Sequence, residues 1–227
     1  MYELYIANKN YSSWSLRPWI LMRERSIPFV ERLLPFSEGT NWEHFRAFAP
    51  NGKVPCLHDK GEIIWDSLAI IEYLAERHQN LWPEEPSARA WARCASAEMH
   101  SGFGALRECC TMNCGIRVRL NQYPAALTKD IERLNELWNE GLARFGGPFL
   151  AGNAFTAVDA MYAPVVLRVQ TYGIALKGNA ADYAKRMVSL PSMRAWYDDA
   201  VNETWREPGH EAEAKAAGIW IEDLRRK

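Results

Sequence analysis

Apolar positions fall into short extended runs at the start of the chain and into helical spacing further on. Residues 2–7 ("YELYIA") and 29–34 ("FVERLL") are strand candidates. Between them, "SLRPWILMRERSI" sets Leu16, Trp19, Ile20 or Leu21 and Ile27 in helical rhythm, which makes a βαβ unit. Proline is harmless in a helix only while the first-turn amides still lack partners. Pro18 therefore predicts a helix beginning near Ser15, with Ser12 and Ser13 in the approach to it. After a polar connection containing "NWEHFRAF", the runs "VPCLHD" and "EIIWD" flank "DKG", a hairpin signal. "SLAIIEYLAERH" then places Leu68, Ile71, Leu74 and Ala75 at helical spacing, so a β-α-β and β-β-α order is complete near residue 79.

"LWPEEPSA", with two prolines and several charges, reads as a linker. From Ala88 onward the pattern predicts helices only, and hence a separate layer or domain. "LTKDIERLNELWNEGLARFGG" carries an apolar stripe from Leu127 through Ile131, Leu134, Trp138 and Leu142 to Phe145, and ends on two glycines. "HEAEAKAAG" in the tail is a charged, alanine-rich helix candidate. The expected organisation is an α/β domain over residues 1–80 and an all-α domain over 88–227.

Composition narrows the function classes. The 227 residues are 48% hydrophobic, enough for real cores and against disorder. With 27 basic against 28 acidic residues there is no global field to draw in nucleic acid or an anionic membrane, so a small ligand is expected. No secretory signal is read at the N-terminus, and the longest apolar stretch, Ala160 to Leu167, is far short of the ~20 residues of a membrane span. Five cysteines form no disulfide framework, which suits a reduced, cytoplasmic protein. Ten tryptophans are expected to supply part of a cleft or an interface.

Three short segments carry candidate chemistry, each with a plainer alternative. In "YSSWSLRPW" a serine hydroxyl near a helix N-terminus can donate to a thiolate, whose charge the helix end favours; otherwise Ser12, Ser13 and Ser15 only cap and turn the chain. In "NGKVPCL" a cis Val54–Pro55 bond would offer the Val54 backbone to an extended ligand, whereas a trans proline merely opens an edge strand. In "WDSLAII" Ser67 is a natural N-cap and Asp66 can pair with an amino group while the helix end takes a carboxylate; otherwise the pair is only a cap.

The order and spacing of these segments resemble the glutathione transferase family over nearly the whole chain. "YSSWSLRPW" resembles its serine-type active-site turn, closest to the zeta class; "NGKVPCL" resembles its cis-proline segment, and "DSLAIIEYL" its γ-glutamyl site. "PFLAGNAFTAVDAMYAP" is similar to its capping motif, in which Thr156 caps a helix and Asp159 reaches back. The resemblance implies a thioredoxin-like N-terminal domain binding glutathione, an all-helical second domain supplying the other substrate's pocket, and a homodimer. It further implies that Ser12, with Ser13 close behind, stabilises the thiolate. Lys53, Val54 and Pro55 would hold the middle and glycyl end of the tripeptide, and Asp66 and Ser67 its γ-glutamyl end. The chain departs from the zeta pattern at Trp14, where cysteine is usual, and at Asp66, where glutamine or glutamate is commoner.

For a small hydrophobic electrophile, "AEMHSGFGALRECC" read as one helix offers Met99, His100, Phe103 and Arg107 on a shared face, with Tyr11, Trp14 and Tyr162 completing an apolar pocket. Ordinary helix packing is the alternative for each, and Arg17 is read as an anchor of the turn. Cys109, Cys110 and Cys114 lack zinc spacing, "HEAEA" lacks the second histidine of a zincin, and no glycine-rich nucleotide motif follows the first strand, so no metal and no cofactor besides glutathione is expected. The expected activity is transfer of the glutathione thiolate to an electrophile, as in detoxification. The alternatives are a glutathione-dependent disulfide reductase, peroxidase or isomerase, and a non-catalytic interaction protein on the same fold.

Overall fold

The computed structural model describes residues 1–37 and 40–226. Strand β1 (Tyr2–Ile6) leads into helix α1 (Ser13–Glu24) and β2 (Phe29–Leu33), followed by the short α2 (Trp42–Arg46), the hairpin β3 (Cys56–Asp59) and β4 (Glu62–Trp65), and α3 (Ser67–Ala75). The sheet runs β2-β1-β3-β4, with β1 parallel to β2 and antiparallel to β3. Its inward side chains Leu4, Ile6 and Leu57 are fully buried against α1 and α3, whose Leu16, Ile20, Ile70, Ile71 and Leu74 supply the other side of that core.

Two local details differ from the sequence reading. Helix α1 starts at Ser13, with Ser12 at its N-cap position, two residues earlier than Pro18 implied. Pro18 thus lies in the second turn, and the helix forgoes one bond, to the Trp14 carbonyl, without breaking. Asp66, not Ser67, caps α3: its backbone has φ 74° and its side chain accepts the Leu68 and Ala69 amides.

The remainder is built mainly of helices: α4 (Pro86–Ser101), α5 (Gly104–Cys109), α6 (Ala125–Phe145), α7 (Ala157–Tyr172), α8 (Asn179–Ser189), α9 (Pro191–Asn202) and α10 (Pro208–Ala217). It is not helical throughout. Strands β5 (Ile116–Leu120) and β6 (Gly218–Asp223) pair antiparallel, joining segments about a hundred residues apart in sequence. The period-two pattern of "IRVRL" explains β5, since Ile116 and Val118 turn inward while Arg117 and Arg119 turn outward. The stretch read as one helix from Ala97 to Cys110 is broken, because Phe103 between two glycines takes a left-handed conformation at φ 56°. No helix among the described residues is long and apolar enough to cross a membrane.

The central helix α7 packs against α1 and α4 and is buried along almost its whole length. Gly141 of α6 is what lets α6 pass close to the loop before α7: a Cβ there would meet the Trp91 ring and stand 2.5 Å from the Leu150 carbonyl oxygen. A backbone oxygen does not yield as a side chain does. Gly141→Ala is therefore expected to lower the melting temperature by roughly 4 °C, the overpacking cost exceeding the ~1 kcal/mol gained in helix propensity. A thermal scan showing a rise would refute the close approach.

The turn between β1 and α1 is fastened from the helical side. Lys9 lies between the Trp19 and Trp196 rings, its Nζ 2.8 Å from Glu31 and 2.6 Å from Asp199 of α9. Glu203 accepts the Lys9 and Asn10 amides, and the Asn10 side chain bonds Asn113 and the Gly115 amide. These contacts fix the residues immediately before Ser12 as part of the core and not as a free loop.

Candidate active site

Ser12 sits where this fastened turn becomes a helix. Its amide donates to the Asn8 carbonyl at 2.8 Å, and its Oγ lies 2.7 Å from Ser15 Oγ, which also accepts the Ala7 amide at 3.3 Å. The arrangement that uses every group runs from the Ala7 N–H to Ser15 and from the Ser15 O–H to Ser12, leaving the Ser12 proton for a ligand. The Trp14 and Ser15 amides have no backbone acceptor among the described residues and belong to the orphan first turn of α1. A hydroxyl proton, free amides and the positive helix end converge on one spot, which suits an anion. Ser13 lies beside it, its amide bonded to the Tyr11 carbonyl.

A cavity of about 510 Å³ opens over this turn; Tyr11, Ser12, Ser13, Trp14, Lys53 and Val54 form its floor. A second cavity of about 260 Å³ shares Trp14, Lys53 and Val54 with the first and runs on to Pro55, Asp66 and Ser67. The Val54–Pro55 bond is cis, the rarer of the two alternatives. In the smaller cavity Asp66 spends Oδ1 on capping α3, while Oδ2 stands 3.3 Å from His100 Nε2. Burial lowers the His100 pKa and Asp66 opposes it. Ser67 is fully buried and its Oγ accepts from Arg17 Nη1 at 3.4 Å. Arg17 is stacked on Trp14 at 4.1 Å, and burial pushes its pKa down to about 9.

The residues expected to bind a second substrate separate into two groups. Tyr11, Trp14 and Arg107 face the larger cavity, while His100 lines neither cavity and packs edge-on against Trp14 with ring centres 5.2 Å apart. Met99, Phe103 and Tyr162 do not line it. They are buried in the helical core, where Tyr162 donates to the Ala95 carbonyl at 3.0 Å and its ring meets Phe103 and Trp138 edge-on. These three pack between helices: the break at Phe103 removes the face that Met99 and Phe103 were to share, and Tyr162 is buried within α7.

Other walls were not found from the sequence. Arg168 of α7 and His210 and Glu213 of α10 line the cavity with Phe36 and Phe45. Arg168 did leave a signal, as the lone charge in the run "YAPVVLRV". The tail closes over the site because it is clasped at several points. His210 stacks on Phe36 and has Nδ1 2.5 Å from Glu207; Tyr11 donates to Glu211 at 2.7 Å, and Glu211 also pairs with Arg225 beyond β6. Among the described residues no cluster of histidine, cysteine, aspartate or glutamate is arranged to hold a metal ion.

Comparison with known proteins adds a family to this geometry. Residues 11–77 match the glutathione S-transferase N-terminal domain and residues 121–199 the glutathione S-transferase C-terminal domain. A glutathione S-transferase of Hypomyces subiculosus is 25% identical over 214 residues, 86% of this chain and 93% of that protein. A probable maleylacetoacetate isomerase of Caenorhabditis elegans is 25% identical over 182 residues, 76% of this chain and 81% of its own. A glutathione transferase homolog from Burkholderia, solved with bound glutathione, superposes with a TM-score of 0.67 at 19% identity, covering 88% of this chain and 97% of that one, and shares the fold. The N-terminal match spans the serine turn, the cis-proline loop and the Asp66–Ser67 cap, the C-terminal match the helices from α6 into α9, and the chain belongs to the glutathione S-transferase family.

Proposed function

We propose that this protein is a serine-type glutathione transferase that binds glutathione across the two joined cavities and delivers its thiolate to an electrophilic carbon. The observation carrying the reading is the continuity of the cavities through Trp14, Lys53 and Val54, with Ser12 in the larger one beside Trp14. An extended tripeptide fits that path. Its amino group pairs with Asp66 and its α-carboxylate meets Ser67 and the start of α3, above the Arg17 cation. The Val54 N–H and C=O take the cysteinyl backbone as an added strand, and Lys53 faces the glycyl carboxylate. The sulfur then lies against Ser12 at the start of α1, where charge is favoured over the neutral thiol.

In the transfer step the sulfur forms a bond to carbon while the leaving group departs with its electron pair. The same thiolate meeting a disulfide or a peroxide would give reductase or peroxidase chemistry, so activity on those substrates is the comparison to make. The five cysteines are all unpaired in the structure, which accords with a reducing cytoplasmic setting, and a homodimer is the assembly the family resemblance favours.

Calorimetric titration with glutathione and with S-methyl glutathione, in buffers of different ionisation enthalpy, tests the reading. Both ligands are expected to bind, and only glutathione is expected to release a proton at neutral pH. Absence of binding by either would overturn it.

A further inference from the structure

Arg168 and Arg107 both face the larger cavity, and neither forms an ion pair within 4.0 Å among the described residues. Arg168 is 6% exposed and is the one basic side chain of α7. Its Nε donates to the Cys110 carbonyl at 2.8 Å and its Nη1 to the Pro164 carbonyl at 3.3 Å, which leaves Nη2 with no acceptor among the described residues. Arg107 donates to the Gly102, Met99 and His100 carbonyls at the end of α4, and its Nη1 is likewise without an acceptor. Burial, and then the neighbouring Arg107 charge, push the Arg168 pKa down to about 10. Both guanidiniums nonetheless stay charged at neutral pH, and Arg17 adds a third cation behind Trp14.

A buried charge is normally paired or fully hydrogen-bonded, because desolvation is otherwise uncompensated. The other charged groups in the wall do not compensate these: Glu213 is exposed and in no ion pair among the described residues, Lys53 is a further cation, and His210 is taken up by Glu207. The lining beside the thiolate site is therefore apolar at Trp14 and Met112 and cationic at Arg107 and Arg168.

Resting on the transferase reading, we propose that the second substrate is an anionic electrophile, an aryl or unsaturated carbon skeleton bearing a carboxylate held by Arg168 with Arg107. The skeleton lies on the apolar part of the lining and the carboxylate supplies the missing counter-charge. Guanidinium is suited to that role because it presents paired donors to two carboxylate oxygens.

The test compares matched probes. 1-Chloro-2,6-dinitrobenzene and 4-chloro-3,5-dinitrobenzoate undergo the same substitution, in which the thiolate sulfur bonds to the ring carbon and chloride leaves with the electron pair. They differ in the carboxylate. The wild type is expected to favour the benzoate in kcat/KM, and Arg168→Met to reduce that preference by about tenfold to a hundredfold, mostly through KM, as for loss of a charged hydrogen bond. Arg168→Lys is expected to restore part of it. Should Arg168→Met fail to fold, Arg107→Met gives the second reading of the same ratio.

Binding of 3,5-dinitrobenzoate and 1,3-dinitrobenzene without glutathione, followed by quenching of tryptophan fluorescence, keeps the inference separate from the transferase reading. Tighter binding of the benzoate, lost in the arginine variants, supports the anion site whether or not glutathione binds. Equal binding of the two probes by the wild type, or an unchanged ratio in folded arginine variants, overturns it and leaves the arginines as helix-end caps.

Discussion

Asp159→Ala is expected to cost the fold about 4 kcal/mol, because it removes the acceptor from two buried amides and two hydroxyls, each orphaned amide being worth roughly 1–3 kcal/mol. Asp159 is fully buried. Its Oδ1 accepts the Leu150 amide at 3.0 Å and the Tyr183 hydroxyl at 3.1 Å, while Oδ2 accepts the Thr156 amide at 2.9 Å and the Thr156 hydroxyl at 3.3 Å. One carboxylate thus closes the N-terminus of α7, holds the loop before it and ties α8 to both. Burial pushes its pKa up to about 6, and the four donors oppose that shift, so at neutral pH the ionised form is the one being held. Since α7 packs against both α1 and α4, loosening its start weakens the support beneath Ser12 as well. Against a total stability of about 5–15 kcal/mol the loss is large. Urea unfolding followed by tryptophan fluorescence checks it: the midpoint falls at unchanged slope. Asp159→Asn keeps one carbonyl oxygen as acceptor and is expected to lose about half as much. A cost for the alanine variant below about 1 kcal/mol would mean that the loop refolds around the gap.

The parts of this molecule that could be read from the sequence are those set by neighbours along the chain. The sheet, α3 and α6 follow from periodicity, and the Thr156–Asp159 pair is a local capping pattern whose bonds are present. The turn at Ser12, the loop at Val54 and the cap at Asp66 were each recognisable because every one is a contiguous segment. What escaped depends on contacts distant in sequence. β5 finds its partner in β6 at the far end of the chain, and its alternation is short enough to be lost among helices. The cationic wall needs α7 and α5 to meet, and the roof needs Glu211 to reach Tyr11 across 200 positions. Met99 and Phe103 were misplaced for a local reason, since a single left-handed residue ended the helix that was to align them. Ser67, read as an N-cap, is the first residue of α3, because serine at an N-cap and serine at the first helical position look alike from residue type alone.

Ser12→Ala is expected to return the bound thiol toward the ordinary cysteine pKa of about 8.5 and to lower kcat by about a hundredfold, the usual consequence of removing one donor from a developing or resting anion. The hydroxyl is worth that much because it is held in place before the ligand arrives. Ser15 accepts from the Ala7 amide just beyond β1 and lies 2.7 Å from Ser12 Oγ; with the Ser15 proton given to Ser12, the Ser12 proton is directed outward. A donor already aligned pays no reorganisation when the sulfur ionises. The Ser13 hydroxyl has no hydrogen-bond partner among the described residues, and Ser13→Ala is expected to change the rate by less than about threefold. Ser15→Ala is expected to fall between the two, since Ser12 keeps its hydroxyl but loses its orientation, and the thiolate titration should broaden toward the free value without loss of glutathione affinity. Thiolate absorbance of the glutathione complex against pH reads all three variants directly. A curve moved by Ser13→Ala and left in place by Ser12→Ala would transfer the role to the neighbouring serine. A curve unmoved by either would assign the thiolate to the amides of Trp14 and Ser15 and the helix end alone. The ordering Ser12, Ser15, Ser13 is the signature of a hydrogen-bond chain entering the site from the core, because only a chain makes a residue behind the donor matter more than one beside it.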